Sequence, residues 1–305
     1  MVRAVSVTQT QLRSFLAVIR TGSVSAAAVE LVVTQPSVSA AVGALSRELG
    51  VDLLERDGRG VRPTPAGIEF AAYAADVVGL LDQGMRAARA AEARHGLQLR
   101  IAAVTTAAES FVPPLMQAFS TLHPEIGLSL EVGNRDRVLA IVLGHHADVA
   151  IAGRPPHDAR IESHAILLNE LVLITSADDP LASERTVEPD ELAGRRWLLR
   201  EAGSGTRLAN EQFLASAGVT AETLTLGSNG AIKQAARAGL GISFVSRDAV
   251  SQELESGVLG AIPVASGPPA RQWYAMHSTM GPARPAVIEF MAFLRSEGLQ
   301  AIADS

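Results

Sequence analysis

The residues best placed to do chemistry in this chain sit where short apolar runs give way to helix-capping residues. Thr105 and Thr106 follow the run LQLRIAAV, Gly153 and Arg154 follow ADVAIA, and Arg200 ends WLLR. The loop EAGSGTR (201–207) then opens a helix. Its Gly203 and Gly205 let the backbone approach a ligand closely, and Ser204 and Thr206 add hydroxyls to the free N–H groups of a positive helix end. Asn229, in SNG (228–230), repeats the arrangement before a further helix. GSGT alone is a weak motif, because Ser and Gly are ordinary helix caps. Several helix N-termini and arginines converging on one cleft, however, select an anion, either a carboxylate or a phosphate.

These positions offer recognition groups and no catalytic set. Glu201 is the only carboxylate nearby, and the chain has no GxSxG, HExxH or Walker pattern. An enzyme is therefore not expected, nor a cofactor. Metal is not expected at His145-His146, since adjacent histidines at a helix end face different directions and lack a third ligand. Both are expected to be exposed. The absence of cysteine removes disulfides and thiol redox switches.

The elements that must hold these residues follow from the pattern after residue 96. Short apolar runs alternate with amphipathic segments, which marks a parallel α/β sheet. Strands are predicted at 97–106, 127–134, 147–153, 171–176, 197–200, 222–227, 242–246 and 270–278. Helices are predicted at 109–126, 135–145, 206–218, 229–241 and 284–298. Two such sets, with the last helix returning to the first, predict two lobes joined by crossovers near 168–170 and 266–270. Ligands in such a sheet sit at the carboxyl ends of strands.

The segment before residue 96 carries a different pattern. Leu12, Phe15, Leu16 and Ile19 share one face of a first helix. A second helix opens at Ser23, a good N-cap, and runs to Leu31. Val32-Val33 turns the chain, Thr34 caps a third helix, and Pro36 sits in its first turn, where a missing N–H breaks no bond. Val38, Val42, Leu45 and Leu49 give that helix an apolar docking face, and Gly50 closes it. Its other face carries Gln35, Ser37, Ser39, Ala40 and Gly43, small enough to enter a DNA major groove. A long alanine-rich helix follows from Pro65 to about Glu92. Its stripe of Phe70, Ala74, Val77, Leu81 and Met85, with small Ala71, Ala75 and Gly84 beside it, predicts antiparallel pairing with a second copy. His95-Gly96 is a plausible hinge.

FLAVIRTGSVSAAAVELVVTQPSVSAAVGALSRELGVDLLERDGRGVRPTPAG resembles the winged helix-turn-helix of LysR-type transcriptional regulators, with TQPSVS opening the recognition helix and LLER…RG…TPAG forming the wing. One departure is Ala40 and Ala41, where the family often has a long polar residue and a Gln. The resemblance implies DNA contacts from Gln35, Pro36, Ser37, Ser39 and the neighbourhood of Ala40, with Arg56 and Arg59 on the wing. It also implies a dimerisation helix and a periplasmic-binding-protein-like effector domain. GNRDRVLAIVLGHHADVAIAGRPP, REAGSGTR and GAIKQAARAGLGISFVS look most like regulators of carbon-fixation (Rubisco) operons. For that subgroup the resemblance implies a small anionic metabolite, such as a phosphorylated acid, as effector.

The expected fold is α/β, in three parts. Residues 1–64 form a winged helix-turn-helix domain and 65–95 a linker helix. Residues 96–305 form a two-lobed effector domain, with lobe I at 96–168 and 269–305 and lobe II at 169–268. The expected function is a LysR-type regulator of promoter DNA, homodimeric through the linker helix and assembled as a dimer of dimers. An α/β enzyme fused to a DNA-binding head, or a DNA binder with an empty cleft, are the alternatives. The net charge of −6 conceals a basic head: residues 1–62 hold seven Arg against five acids, while residues 96–305 hold sixteen Lys plus Arg against twenty-three acids. Only the head needs to meet phosphate. The first residues show no signal-peptide pattern and no apolar run is long enough to span a bilayer, so a cytoplasmic protein is expected.

Overall fold

The computed structural model describes residues 6–58, 60–92, 97–182, 185–265, 267–268, 270–282 and 284–296. Arg59, the hinge at His95-Gly96 and the last two residues of the helix expected at 284–298 lie outside them. The chain divides into two units: Met1–His95 with Leu143–His146, and Gly96–Val142 with Ala147–Ser305.

In the first unit, α1 (Gln9–Thr21) begins with a capping box. Thr8 accepts from Gln11 N–H while the Gln11 side chain accepts from Thr8 N–H. Helix α2 (Val24–Leu31) is capped by Ser23, and α3 (Gln35–Leu49) by Thr34 with Pro36 in its first turn. Val32 closes α2 in the left-handed region at φ 55°, which turns the chain so that α2 and α3 meet at 108°. That is the angle of a helix-turn-helix. Strands β1 (Leu54–Asp57) and β2 (Gly60–Pro63) pair antiparallel as the wing, and Val61 N–H donates to the Gly22 carbonyl, holding β2 against the end of α1.

Helix α4 (Pro65–Glu92) starts under the wing. Thr64 accepts from Gly67 N–H at 3.0 Å and donates to the Asp52 carbonyl at 2.7 Å. The expected single stripe along α4 proves to be two. Ala74 and Val78 are buried in the head, with Phe70 and Ala71 packed beside them against Leu12, Phe15 and Val18. Tyr73, Val77, Leu81 and Met85 are exposed. Phe70 and Ala74 thus belong to the core rather than to a pairing face, because α1 covers about the first four turns of α4. Arg13 clamps Asp82 with two 2.7 Å bonds further along.

The second unit has two lobes. In lobe I, β3 (Gln98–Val104) lies between the parallel strands β4 (Gly127–Gly133) and β5 (Val149–Ala152). Helices α5 (Thr105–Glu109), α6 (Val112–Leu122) and α7 (Arg135–Leu143) connect them. Strand β6 (Ile161–Asn169) was not legible in the sequence and forms the edge of the sheet. Lobe II begins with β7 (Leu171–Ser176) and continues through β8 (Trp197–Arg200), α8 (Gly205–Ser216), β9 (Thr223–Leu226), α9 (Asn229–Arg237), β10 (Ser243–Ser246), α10 (Ser251–Glu255) and β11 (Leu259–Ile262). Strand β12 (Arg271–Ser278) then returns to lobe I, antiparallel to both β5 and β6, and α11 (Pro285–Ser296) packs there too.

Lobe I is a five-stranded sheet of order β4-β3-β5-β12-β6. One face is covered by the cluster of Leu115, Phe119, Phe290 and Leu294, the other by Val138, Val142 and Met276. Burial on both faces explains why β5, VAIA, reads as an unbroken apolar run. Lobe II is less regular than a purely parallel expectation. It has an antiparallel trio β10-β7-β11 and a parallel pair β8-β9, joined by the Trp197–Ile242 bridge. Trp197 packs with Phe213 and Phe244 at its centre. No single helix among the described residues is long and apolar enough to cross a membrane.

A Cβ on Gly67 would overlap the Leu53 carbonyl. Gly67→Ala is therefore expected to destabilise the head by about 1–3 kcal/mol through overpacking. Hydrogen exchange of the α1 and α3 core amides, faster than in the parent chain, is the measurement.

Candidate functional site

The first candidate surface is the face of α3. Gln35, Pro36, Ser37, Ser39 and Ala40 are all exposed, as is Arg56 on β1. Val38, Val42 and Leu45 are buried against α1 and α2, which turns the polar face outward. The Ser37 hydroxyl lies 2.8 Å from Thr34 Oγ1, so it is partly committed to the helix cap. Gln35 and Ser39 are the freer hydrogen-bonding side chains.

The second candidate site is the cleft between the two lobes of the second unit. It encloses about 600 Å³, part of it open to solvent. Eight of the ten residues expected from the sequence line it: Thr105, Thr106, Gly153, Arg154, Arg200, Ser204, Gly205 and Thr206. The other two do not. Gly203 holds a left-handed turn at φ +82° whose missing Cβ leaves room for Asp136 and Asn134. Asn229 is buried behind the wall, where it accepts from Arg200 and donates to Thr106 Oγ1 at 3.1 Å and to Glu109 at 2.9 Å. Its role is to hold Arg200.

The threonines also act differently from expectation. Helix α5 has Val104 as its N-cap residue with no side-chain bond. Thr105 donates to the Gly133 carbonyl at 3.3 Å, and Thr106 receives Asn229, so neither caps a helix. Ser204, by contrast, caps α8 by accepting from Arg207 N–H.

The sequence reading missed Asn134, Arg135, Asn169, Ser246 and Arg271 in the lining. They bring the arginines to four, with Arg135 and Arg271 joining Arg154 and Arg200. Among the described lining residues there is no acidic side chain. Arg200 is paired with Glu201 at 2.8 Å. Among the described residues Arg271 has no such partner: it donates to the Gly205 carbonyl at 3.2 Å, its Nε is buried without a bond, and burial pulls its pKa below the ordinary arginine value. Arg135 Nε, Asn169 Oδ1 and Ser246 Oγ are likewise buried and unpartnered. Arg135 Nε, Arg271 Nε and the Ser246 hydroxyl are desolvated donors beside a half-buried cation, costly to leave unpaired and offset by an anion that accepts from them, whereas Asn169 Oδ1 is an acceptor.

His145 corrects another expectation. It is buried, with Nε2 3.1 Å from Asp76 Oδ1 inside the first unit, while His146 is exposed. His145 sits in the left-handed region at φ 57°, at the turn where one imidazole is buried and the next is exposed.

Comparison with known families matches residues 9–68 to the bacterial regulatory helix-turn-helix protein, lysR family, and residues 92–298 to the LysR substrate binding domain. The chain belongs to the LysR family of transcriptional regulators. It is 37% identical to a RuBisCO operon transcriptional regulator of Allochromatium vinosum over 94% of this chain and 95% of that one. A RuBisCO operon transcriptional regulator of Acidithiobacillus ferrooxidans is 34% identical over 93% and 92%. Among solved structures, the Synechocystis PCC6803 CcmR regulatory domain in complex with 2-PG aligns at 32% identity and a TM-score of 0.61, covering 65% of this chain and 95% of that one. As in the family, the helix-turn-helix is the DNA-binding module and the cleft domain is the effector-binding module. The chain is a regulator, not an enzyme.

Arg271→Met separates an anion-binding role from a structural one. Thermal stability without ligand is expected to hold or rise, because a desolvated cation is removed. Affinity for an anion in the cleft is expected to fall by about 2–5 kcal/mol. A large loss of unliganded stability would make Arg271 a structural residue instead.

Proposed function

We propose that this regulator binds promoter DNA through the α3 face and that a small anionic metabolite in the cleft alters that binding. The single observation that carries the effector class is the cavity lining itself: four arginines, two of them (Arg135 and Arg271) with a buried unpartnered Nε, and no acidic side chain among the described lining residues. The similarity to CcmR, solved with 2-PG, supports the same class. An effector with two anionic ends, a phosphate and a carboxylate, fits a cleft whose cations come from both lobes: Arg135, Arg154 and Arg271 from the lobe I strands and helix, Arg200 from lobe II. Ser204, Gly205 and Thr206 at the start of α8 supply N–H and hydroxyl donors for the phosphate. Closure of the lobes on the anion would have to favour one arrangement of the DNA-binding heads by differential affinity.

On the DNA side, Gln35, Pro36, Ser37 and Ser39 would meet base edges and Arg56 and Arg59 the backbone or the adjoining groove. Ala40 would add an apolar surface suited to a thymine methyl rather than a hydrogen bond. A RuBisCO operon promoter is the proposed target, supported by the 37% and 34% identities over nearly the whole chain. Such a target places the protein in the cytoplasm. The exposed row Tyr73, Val77, Leu81 and Met85 on α4 supports a homodimer through that helix, and dimers would pair further into a tetramer.

Three measurements test these proposals. Gln35→Ala is expected to weaken binding to the promoter duplex by about 1–3 kcal/mol in fluorescence anisotropy and to leave nonspecific duplex nearly unaffected. An equal loss on both would remove base readout from Gln35. Ser204→Ala combined with Thr206→Ala is expected to abolish the response of DNA binding to the anion without changing DNA affinity in its absence; an intact response would move the ligand elsewhere. Val77→Glu is expected to shift the chain toward monomer in sedimentation, with DNA affinity falling as the two heads cease to act together.

A further inference from the structure

Away from the cleft, strands β6 and β12 bring together three side chains that neither DNA nor anion binding uses. Glu162 and His164 are two residues apart on β6 and so share a face of the sheet. The antiparallel register sets His277 of β12 directly opposite Glu162, where cross-strand side chains are nearest neighbours. One ligand atom from each residue lies within 4.8 Å of the others. His164 Nε2 stands 3.0 Å from Glu162 Oε1, and His277 Nε2 stands 3.7 Å from Glu162 Oε2.

We propose that Glu162, His164 and His277 form a binding site for a divalent late transition-metal ion of the Zn²⁺ class. Bonds of about 2.0–2.2 Å from imidazole nitrogen and carboxylate oxygen place neighbouring ligand atoms about 3.3 Å apart around a tetrahedral ion. The two Glu162–histidine separations straddle that value and all three ligand atoms lie within 4.8 Å of one another, so side-chain rotations can close the site. The Nδ1 of His277 lies 3.3 Å from the Ser278 carbonyl, an oxygen that can only accept, so Nδ1 is the nitrogen positioned to donate and Nε2 the one positioned to bind an ion. A metal-bound histidine is oriented by such a bond on its other nitrogen. Two imidazoles and one carboxylate suit Zn²⁺, Ni²⁺ or Cu²⁺ and not Ca²⁺ or Mg²⁺, which take oxygen ligands. The side chains of His164 and His277 are 29% and 19% exposed and that of Glu162 is 51% exposed. Water therefore completes the coordination, and an ion can enter from solvent.

The site lies at one end of a strand pair whose other end serves the cleft. Beyond a register shift at Trp273/Tyr274, Arg271 faces Asn169, both lining residues, six positions along β12 from His277. An ion would tie β6 to β12 at the end remote from the anion, where β6 is otherwise the free edge of the sheet. None of the three ligands lines the cleft, so the metal site stands or falls independently of the effector reading.

The test is Zn²⁺ titration of the untagged full-length chain, stripped with a chelator, followed by calorimetry and by visible absorption with Co²⁺ as the spectroscopic probe. One saturable site per chain is expected. His164→Gln with His277→Gln is expected to weaken Zn²⁺ binding by about 100-fold or more and to remove the Co²⁺ bands, since loss of even an outer-shell partner costs about 10–100-fold. Glu162→Gln keeps both imidazoles and is expected to lose about 10-fold. His123→Gln, on α6's C-terminal side and outside the cluster, is expected to change nothing. Circular dichroism of each variant without metal should match the parent. Saturable binding that survives the double substitution, or no saturable binding by the parent chain, overturns the proposal.

Discussion

A half-buried guanidinium, its Nε buried without a bond and with no carboxylate paired to it among the described residues, is the constraint around which the cleft is built. Removing an ion from water costs roughly several kcal/mol even after relaxation, and Arg271 bears that cost with only one carbonyl bond as compensation. The fold tolerates it because the surrounding lobes are independently well packed. Phe119, Phe290 and Leu115 fill one face of the lobe I sheet, and Trp197, Phe213 and Phe244 fill the centre of lobe II. Stability held in those clusters allows the cleft to carry unpaired donors, which under the proposed function an anion would satisfy. Arg200 shows the contrasting solution. Glu201 neutralises it and Asn229 fixes it, so its charge is balanced within the fold.

The head solves a different problem, presenting a smooth helix surface while anchoring everything behind it. Three caps in sequence, Thr8, Ser23 and Thr34, define where its helices begin. Thr64 then ties the wing to the first turn of α4. Gly67 lets α4 touch the Leu53 carbonyl, which draws the long helix under the head's core. One helix therefore belongs to two surfaces. Its Ala74–Val78 face completes the core of its own head, and its Tyr73–Val77–Leu81 face remains outside.

Much of this was legible in the sequence because local chemistry dictated it. The caps, Pro36, Gly50 and the spacing of Val38, Val42 and Leu45 act over a few residues, and the head follows them closely. Eight cleft residues were likewise found by asking where parallel strands end. The same rule could not find Arg271, which opens the antiparallel strand β12 and so reaches the cleft from its other end. Nor could it find Asn169, because IESHAILLN mixes polar and apolar residues without clean alternation; β6 is an edge strand and only half buried. Arg135 has a readable signal in hindsight, as the first residue of a helix that follows a strand end. The double role of α4 was hidden for a related reason. Periodicity places apolar residues on a helix but does not say which neighbour will cover each one.

Under the proposed function anion and DNA binding are linked, and linkage is reciprocal. The most direct measurement is a pair of titrations on the full-length parent chain: 2-PG binding with and without saturating promoter duplex, and duplex binding with and without saturating 2-PG. Equal factors in the two pairs, of about 5–150-fold, are the predicted result. Tight 2-PG binding that leaves duplex affinity unchanged, or duplex binding indifferent to 2-PG and to other phosphorylated carboxylates alike, would contradict the account.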